Sequence, residues 1–235
     1  MKIAIVIPVY GSADILEEGH AFISKILKEI TLGYEILYRN DCSPDNSQII
    51  LDKLVAKDKK VRTFTNTKNM GLGYTLRKLF NDAQGEYVIY LDADAYQCFD
   101  LTLIKKFIDD MKDRDVTIAS RYEITTRQIP WYREYPSTIY YLINKILFGM
   151  SIRDVGSGFV IFKKKALNKI NLTSKGFDIH VEIFAKLVKT DASIREIPIT
   201  YKHWYGGSFD VFKHGPKTLL NTIKWFFLIR IFNKR

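Results

Sequence analysis

Hydrophobic and polar positions along the chain fall into two alternating rhythms. Short apolar runs, "KIAIVIP" from Lys2, "YEILYR" from Tyr34, "VRTFTN" from Val61, "EYVIYLD" from Glu86 and "VTIAS" from Val116, have the length and β-branched content of buried strands. Between them, apolar residues recur at three- and four-residue intervals, which predicts helices over residues 12–30, within 43–58, over 74–83 and over 101–112. Strand and helix alternate without internal repeats, the pattern of an α/β domain whose mostly parallel sheet is flanked by helices on both faces.

In such a sheet, ligands bind beyond the carboxyl ends of the strands. Four strands here run into polar loops, "PVYGSAD", "RNDCSPDN", "NTKNMGLG" and "DADAYQ", which are expected to converge on one crevice. The last loop carries Asp92 and Asp94, one residue apart, at the end of an apolar strand. Two carboxylates so close repel unless a cation or bound donors compensate them, or unless they sit in open water. Isolated pairs are most often solvated turns. Three further polar loops beside this pair favour a nucleotide and its metal.

Phosphate cradles of other kinds do not fit. "GLGYTL" at Gly71 has only GxG and follows the third strand, and no GxxxxGK[ST] occurs. Gly71 and Gly73 read equally well as a tight turn before a helix or as direct ligand contacts.

Composition adds a direction. The 235 residues are 47% hydrophobic, enough to bury a full core. The formal charge of +10 is uneven: residues 1–100 hold 12 Lys and Arg against 14 Asp and Glu, and residues 101–235 hold 24 against 12. The second half is thus expected to meet something anionic, whether nucleic acid, a phosphorylated substrate or a membrane face. Nucleic acid is disfavoured, because no recognition-helix or aromatic RNP pattern is present and the loop-bearing half has no basic run. Cys42 and Cys98 form no CxxC pair, so neither a disulfide framework nor a zinc cage is expected, and a reducing cytoplasm is. The opening "MKIAIVIPVY" lacks the features of a signal peptide, and no apolar run reaches the roughly 18 residues that span a bilayer.

Seven segments in order, "IVIPVY", "NDCSPDN", "NxGLG", "GEYVIYLDAD", "SRY", "DVGSGF" and "IREIPITY", carry a family resemblance. The chain resembles family 2 glycosyltransferases with the GT-A fold, and among them the dolichol-phosphate and polyprenyl-phosphate sugar synthases. The resemblance implies a metal-dependent inverting transfer from a nucleotide-diphosphate sugar to a polyprenyl or dolichyl phosphate. It implies that Pro8 and Tyr10 line the base pocket, that Asp41 contacts base or ribose, and that Gly71 and Ala93 lie along the donor. Asp92 and Asp94 match the DxD that holds Mg²⁺ or Mn²⁺ against the diphosphate. Arg121 and Arg133 match arginines near the phosphates, and Asp154 matches a site acid. The chain departs from the family pattern at Asn40, at Gly11 and Ser12, at Tyr96, at Cys98 and Phe99, and in "HWYGGSFD".

The chemistry of these residue types agrees. Hard cations accept one or two carboxylates plus substrate phosphates, and the planar fork of arginine suits phosphate. Arginines in a basic segment are as often surface charges or structural ion pairs. A phosphate nucleophile is largely ionised at neutral pH and needs cations, whereas a glycan or lipid hydroxyl needs a base. "GFDIHVEIF" offers Asp178, His180 or Glu182 for the second case. Their bland roles are helix N-terminal charge, a structural histidine and a buried ion pair.

Two apolar, basic segments bear on the acceptor. "YPSTIYYLINKILFGM" reads equally as a core or an interfacial helix, and "GPKTLLNTIKWFFLIRIFNKR" favours an interfacial helix on an anionic membrane. The expected organisation is a catalytic domain over residues 1–210 and a membrane-associating amphipathic helix over 211–235. The expected location is cytoplasmic, peripheral to the inner face of a membrane.

Overall fold

The computed structural model describes residues 2–30, 33–122, 131–202 and 210–231. From the amino end, β1 (Ile3–Val9), α1 (Ala13–Ile30), β2 (Tyr34–Asn40), α2 (Ser47–Lys57), β3 (Val61–Thr65), α3 (Leu72–Asp82) and β4 (Tyr87–Leu91) alternate as the periodicity predicts. The short α4 (Ala95–Cys98) follows the acidic loop. A 3₁₀ turn at Leu101–Leu103 leads into α5 (Ile104–Asp110), where the periodicity predicts one continuous helix, and β5 (Val116–Ser120) follows. The second half supplies α6 (Trp131–Phe148), β6 (Phe159–Lys163), α7 (Lys164–Leu167), α8 (Ile179–Lys189), β7 (Ile194–Pro198) and α9 (Val211–Phe226), which continues into a π-type turn, Phe227–Ile231.

The seven described strands form one sheet in the order β3-β2-β1-β4-β6-β5-β7. Six run in one direction, and β6 runs against both its neighbours, β4 and β5. The sheet is therefore mostly parallel, as expected, with one reversed strand in its middle. The reversal follows from connectivity. Residues 154–158 lie beside the carboxyl ends of β4 and β5, where Asp92 N–H donates to Gly158 O at 2.9 Å and Arg121 N–H donates to Asp154. A strand that starts from that edge has to run back across the sheet.

Period-two alternation splits the core into two layers. Ile3, Ile5, Ile7 and Val9 of β1 pack with α1, α2 and α5 on one face, and Ala4 and Val6 pack with α3 and α8 on the other. The helix predicted from Tyr74 begins at Leu72, because Gly71, at φ +87°, turns the chain sharply into it. A Cβ at Gly71 would lie 2.3 Å from Lys175 O, so only glycine lets the two backbones approach.

The carboxyl-terminal helix is part of the same core. Trp225 and Ile229 are buried, Trp225 Nε1–H donates to Asp178 at 2.8 Å, Asn221 donates to Asp178 at 2.9 Å, and Thr222 meets Tyr140 of α6 at 2.8 Å. The helix that follows the expected 210/211 boundary thus packs one of its faces on α6 and α8. The other face of this helix is apolar and exposed at Phe212, Leu220, Ile223, Phe227 and Ile231, and α6 exposes Tyr135, Ile139, Leu142 and Ile146. Among the described residues, no helix is long and apolar enough to cross a membrane.

Candidate active site

The four polar loops do converge at the carboxyl edge of the sheet, and side chains lace them together. Gly11 N–H donates to Ser43 Oγ at 3.1 Å and Ala13 N–H to Asp45 at 2.9 Å, which ties the β1 loop to the β2 loop. Asp41 is the hub. It is buried and accepts from Asn66 Nδ2 at 2.7 Å and from the N–H groups of Met70 and Gly71, each at 2.8 Å. Its carboxylate thus orders the third loop, and the Gly71 N–H is engaged inside the protein. Asn40, which replaces the expected acid, accepts from Ser43 and donates to Gln48 at 2.8 Å. Pro8 is half-buried at the end of β1, and Tyr10 is 47% exposed at the rim.

The acidic pair stands at the centre of this edge. Ala93 packs against the core, and its neighbours Asp92 and Asp94 are both partly buried. Tyr90, one strand repeat before Asp92 and on the same face, donates its hydroxyl to Asp92 Oδ1. The other oxygen lies against Gly158, where a Cβ would come within 2.1 Å of it. Asp94 precedes α4, and its carboxylate caps no N–H of that helix. Burial, and then the charge of Asp94, push Asp92 up to about 6. Burial also raises Asp94. These are the marks of an anionic pair short of compensation.

Arg121 is the nearby cation. Its Nε and Nη2 donate to the two oxygens of Asp154 at 2.8 and 2.6 Å, its backbone N–H donates at 2.9 Å, and Nη2 also donates to Gly156 O at 2.9 Å. Burial opposes the Arg121 charge, and the Asp154 carboxylate outweighs it, holding the guanidinium well above its ordinary range. Asp154 is 1% exposed and is occupied by this arginine, so the structure places it as an anchor for Arg121 and not as a free acid. Arg133 stands in the first turn of α6, and its side chain lies outside the described residues, as does "HWYGGSF".

Glu182 is enclosed by partners of its own. It is fully buried, accepts from the N–H groups of Thr173 and Ser174 and from Thr173 Oγ1, and pairs with Lys186 at 3.0 Å. Of the two roles expected for it, these contacts match the buried ion pair. Asp178 likewise accepts from Ser174, Asn221 and Trp225. His180 packs its ring 5.7 Å from that of Tyr90, and burial, then Arg121, push it down to about 4. Periodicity gave no reason to single out Tyr90 or Gly158. The tyrosine two residues before the acid was the available signal.

The geometry can accept an anion beside a hard cation. Two carboxylates share the crevice edge with an arginine, and among the described residues no cluster of three His, Cys, Asp or Glu side chains forms a full protein cage. That donor set fits Mg²⁺ or Mn²⁺ completed by substrate phosphates.

Comparison with known proteins agrees with the fold. A dolichol-phosphate mannosyltransferase of Pyrococcus furiosus is 30% identical over 206 residues, covering 86% of this chain and 56% of its own. A polyprenol monophosphomannose synthase of Mycolicibacterium smegmatis is 27% identical over 174 residues, covering 71% of this chain and 66% of its own. The chain thus spans between about half and two thirds of these curated relatives. A solved mannosyltransferase from Pyrobaculum calidifontis, in complex with GDP-Man and Mn²⁺, superposes with a TM-score of 0.67 at 12% identity, covering 100% of this chain and 65% of that one. Residues 4–170 match the profile of the Glycosyl transferase family 2. With the GT-A-like sheet and its acidic edge in place, the chain belongs to glycosyl transferase family 2.

Proposed function

We propose that the protein transfers a sugar, with inversion, from a nucleotide-diphosphate donor to a polyprenyl or dolichyl phosphate. The observation that carries the reading is the partly buried Asp92–Asp94 pair at the carboxyl edge of the sheet, facing the Arg121 cation. Asp92 and Asp94 would hold Mg²⁺ or Mn²⁺. When bound, the cation supplies electrophilic stabilisation to the departing diphosphate. The GDP-Man and Mn²⁺ of the solved Pyrobaculum protein support this assignment.

In this reading Pro8 and Tyr10 flank the base, and Asp41 and Gly71 shape the wall beside the ribose. Ala93 sets the spacing of the acids. Arg121, oriented by Asp154, and Arg133 serve the phosphates.

The state of the candidate bases favours a phosphate acceptor over a hydroxyl. Asp178 and Glu182 are buried and occupied, and His180 is packed on Tyr90. A dianionic phosphate attacks without surrendering a proton, so it requires none of them. The exposed apolar faces of α6 and α9, flanked by Lys145, Lys213, Lys217 and Lys224, suit the surface of an anionic membrane on its cytoplasmic side. The names of the curated relatives point the same way.

The test is transfer from a panel of labelled nucleotide sugars in the presence of Mn²⁺, with polyprenyl phosphate or a dephosphorylated polyprenol as acceptor. Product with the phosphate alone supports the reading. Product with a hydroxyl acceptor and none with the phosphate overturns it.

A further inference from the structure

We infer that Tyr90 is a positioning residue that fixes the Asp92 carboxylate for cation binding. The inference rests on the reading that Asp92 and Asp94 hold a divalent cation with the donor diphosphate.

An aspartate reaches its ligand through two rotatable bonds, and here its neighbour carries the same charge. Left alone, Asp92 would swing away from Asp94. Contacts on two sides prevent this. Tyr90 donates its hydroxyl to Oδ1, and the Gly158 backbone closes against Oδ2 while its carbonyl accepts the Asp92 N–H at 2.9 Å. The tyrosine is itself immobile. It is 2% exposed, its backbone lies in the β4 ladder between β1 and β6, and its ring packs on His180 of α8. A donor on a rigid strand is the support that a metal-binding carboxylate needs, because hydrogen bonds behind the ligand orient the lone pairs that meet the ion.

Strand geometry makes the assignment specific. Tyr90 and Asp92 are two residues apart and so share a face, whereas Tyr87 of the same strand packs toward the opposite core layer. The phenol engages one Asp92 oxygen and makes no contact with Asp94, whose side chain caps no N–H of α4.

The experiment is a titration of the full chain with Mn²⁺ in the presence of a nucleoside diphosphate, followed by the electron paramagnetic resonance of free Mn²⁺ and by calorimetry. Wild type, Tyr90→Phe, Gly158→Ala and Tyr87→Phe are compared, with melting temperatures alongside. Tyr90→Phe keeps the ring and should bind Mn²⁺ about 10- to 100-fold more weakly, the usual range for loss of a support behind a metal ligand. Its melting temperature should stay close to that of wild type, and turnover should be restored by excess Mn²⁺.

Gly158→Ala displaces the same carboxylate from the other side and should weaken binding independently, which keeps the inference testable if one variant does not fold. Tyr87→Phe should bind as wild type does. Wild-type Mn²⁺ affinity in folded Tyr90→Phe, or an equal loss in Tyr87→Phe, overturns the inference. Absence of Mn²⁺ binding by wild type itself would instead overturn the reading on which it rests.

Discussion

Arg121 and Asp154 meet fork to fork across 33 residues of sequence, with Nε–Oδ2 at 2.8 Å and Nη2–Oδ1 at 2.6 Å. The pair joins the end of β5 to the loop before β6. Removing one partner leaves the other charge buried, so Arg121→Ala should cost about 3–5 kcal/mol of stability. Arg121→Lys keeps a charge but cannot span both oxygens, and should fall between the two. Urea unfolding measures the order. Transfer by either variant, assayed where it is fully folded, should drop by orders of magnitude. Wild-type transfer by Arg121→Ala would remove this residue from the site.

Asp94 should separate binding from folding. Its carboxylate caps nothing in α4, and its charge works against Asp92. Asp94→Ala should abolish cation-dependent binding of nucleoside diphosphate by calorimetry, and leave the melting temperature equal or higher. A fold that collapses without Asp94 would show that the acid is structural.

The pH dependence has a definite sign. Asp92 is held up to about 6 in the folded protein, and an ordinary aspartate in the unfolded chain titrates near 3.9. Between roughly pH 4 and 6 the folded state binds more protons, so the contribution of this group to stability falls as pH rises through that window. A divalent cation binds the deprotonated pair and acts in the opposite direction. Mn²⁺ with nucleoside diphosphate should therefore raise the melting temperature strongly above about pH 6 and little near pH 5. His180, pushed down to about 4, is mostly neutral at pH 5 and above, where the two measurements are compared. An equal upward shift at both pH values would contradict the assignment.

Glu182→Gln discriminates structure from catalysis. It removes the charge that compensates Lys186, which is 3% exposed, and should destabilise by about 3–5 kcal/mol. Transfer per folded molecule should be unchanged at low temperature. A selective loss of turnover without loss of stability would restore Glu182 as a base.

Membrane association should depend on two helices together. Ile139→Glu combined with Leu220→Glu places charges at exposed apolar positions of α6 and α9, and should release the protein from anionic vesicles without altering its melting temperature. Truncation after Gly215 is a poorer probe. It removes buried Trp225 and Ile229, each contributing roughly 1.5–3 kcal/mol, and should unfold the domain. Undiminished vesicle binding by the double variant would exclude this face as the anchor.

The first half of the fold is legible in the sequence because its periodicities are strong and its connections local. β1 to β5 and the helices between them stand near their expected places, and the "DADAYQ" loop reaches the expected edge. The reversed β6 could not be read, since an apolar run carries no sign of its direction. The double character of α9 was also hidden. Trp225 beside Phe226 and Phe227 reads in the sequence as a bilayer cluster, and the hydrogen bond from Trp225 to Asp178, 47 residues earlier, decides which face docks. Glu182 and Asp154 were recognisable as acids, but their occupation by Lys186 and Arg121 depends on contacts in space.

The position of β6 governs when a newly made chain becomes able to bind its ligand. β1 to β4 are sheet neighbours that can assemble as they leave the ribosome, in the usual amino-to-carboxyl order. β5 finds its sheet partners only in β6 and β7, which are synthesised later. Both acids of the pair have emerged by Asp94, yet the Asp154 that orients Arg121 and the Gly158 that braces Asp92 come 60 and 64 residues afterwards. A nascent chain halted after Ser120 would carry the acidic motif without its setting. The setting of the acidic pair is thereby deferred until Gly158 has been made.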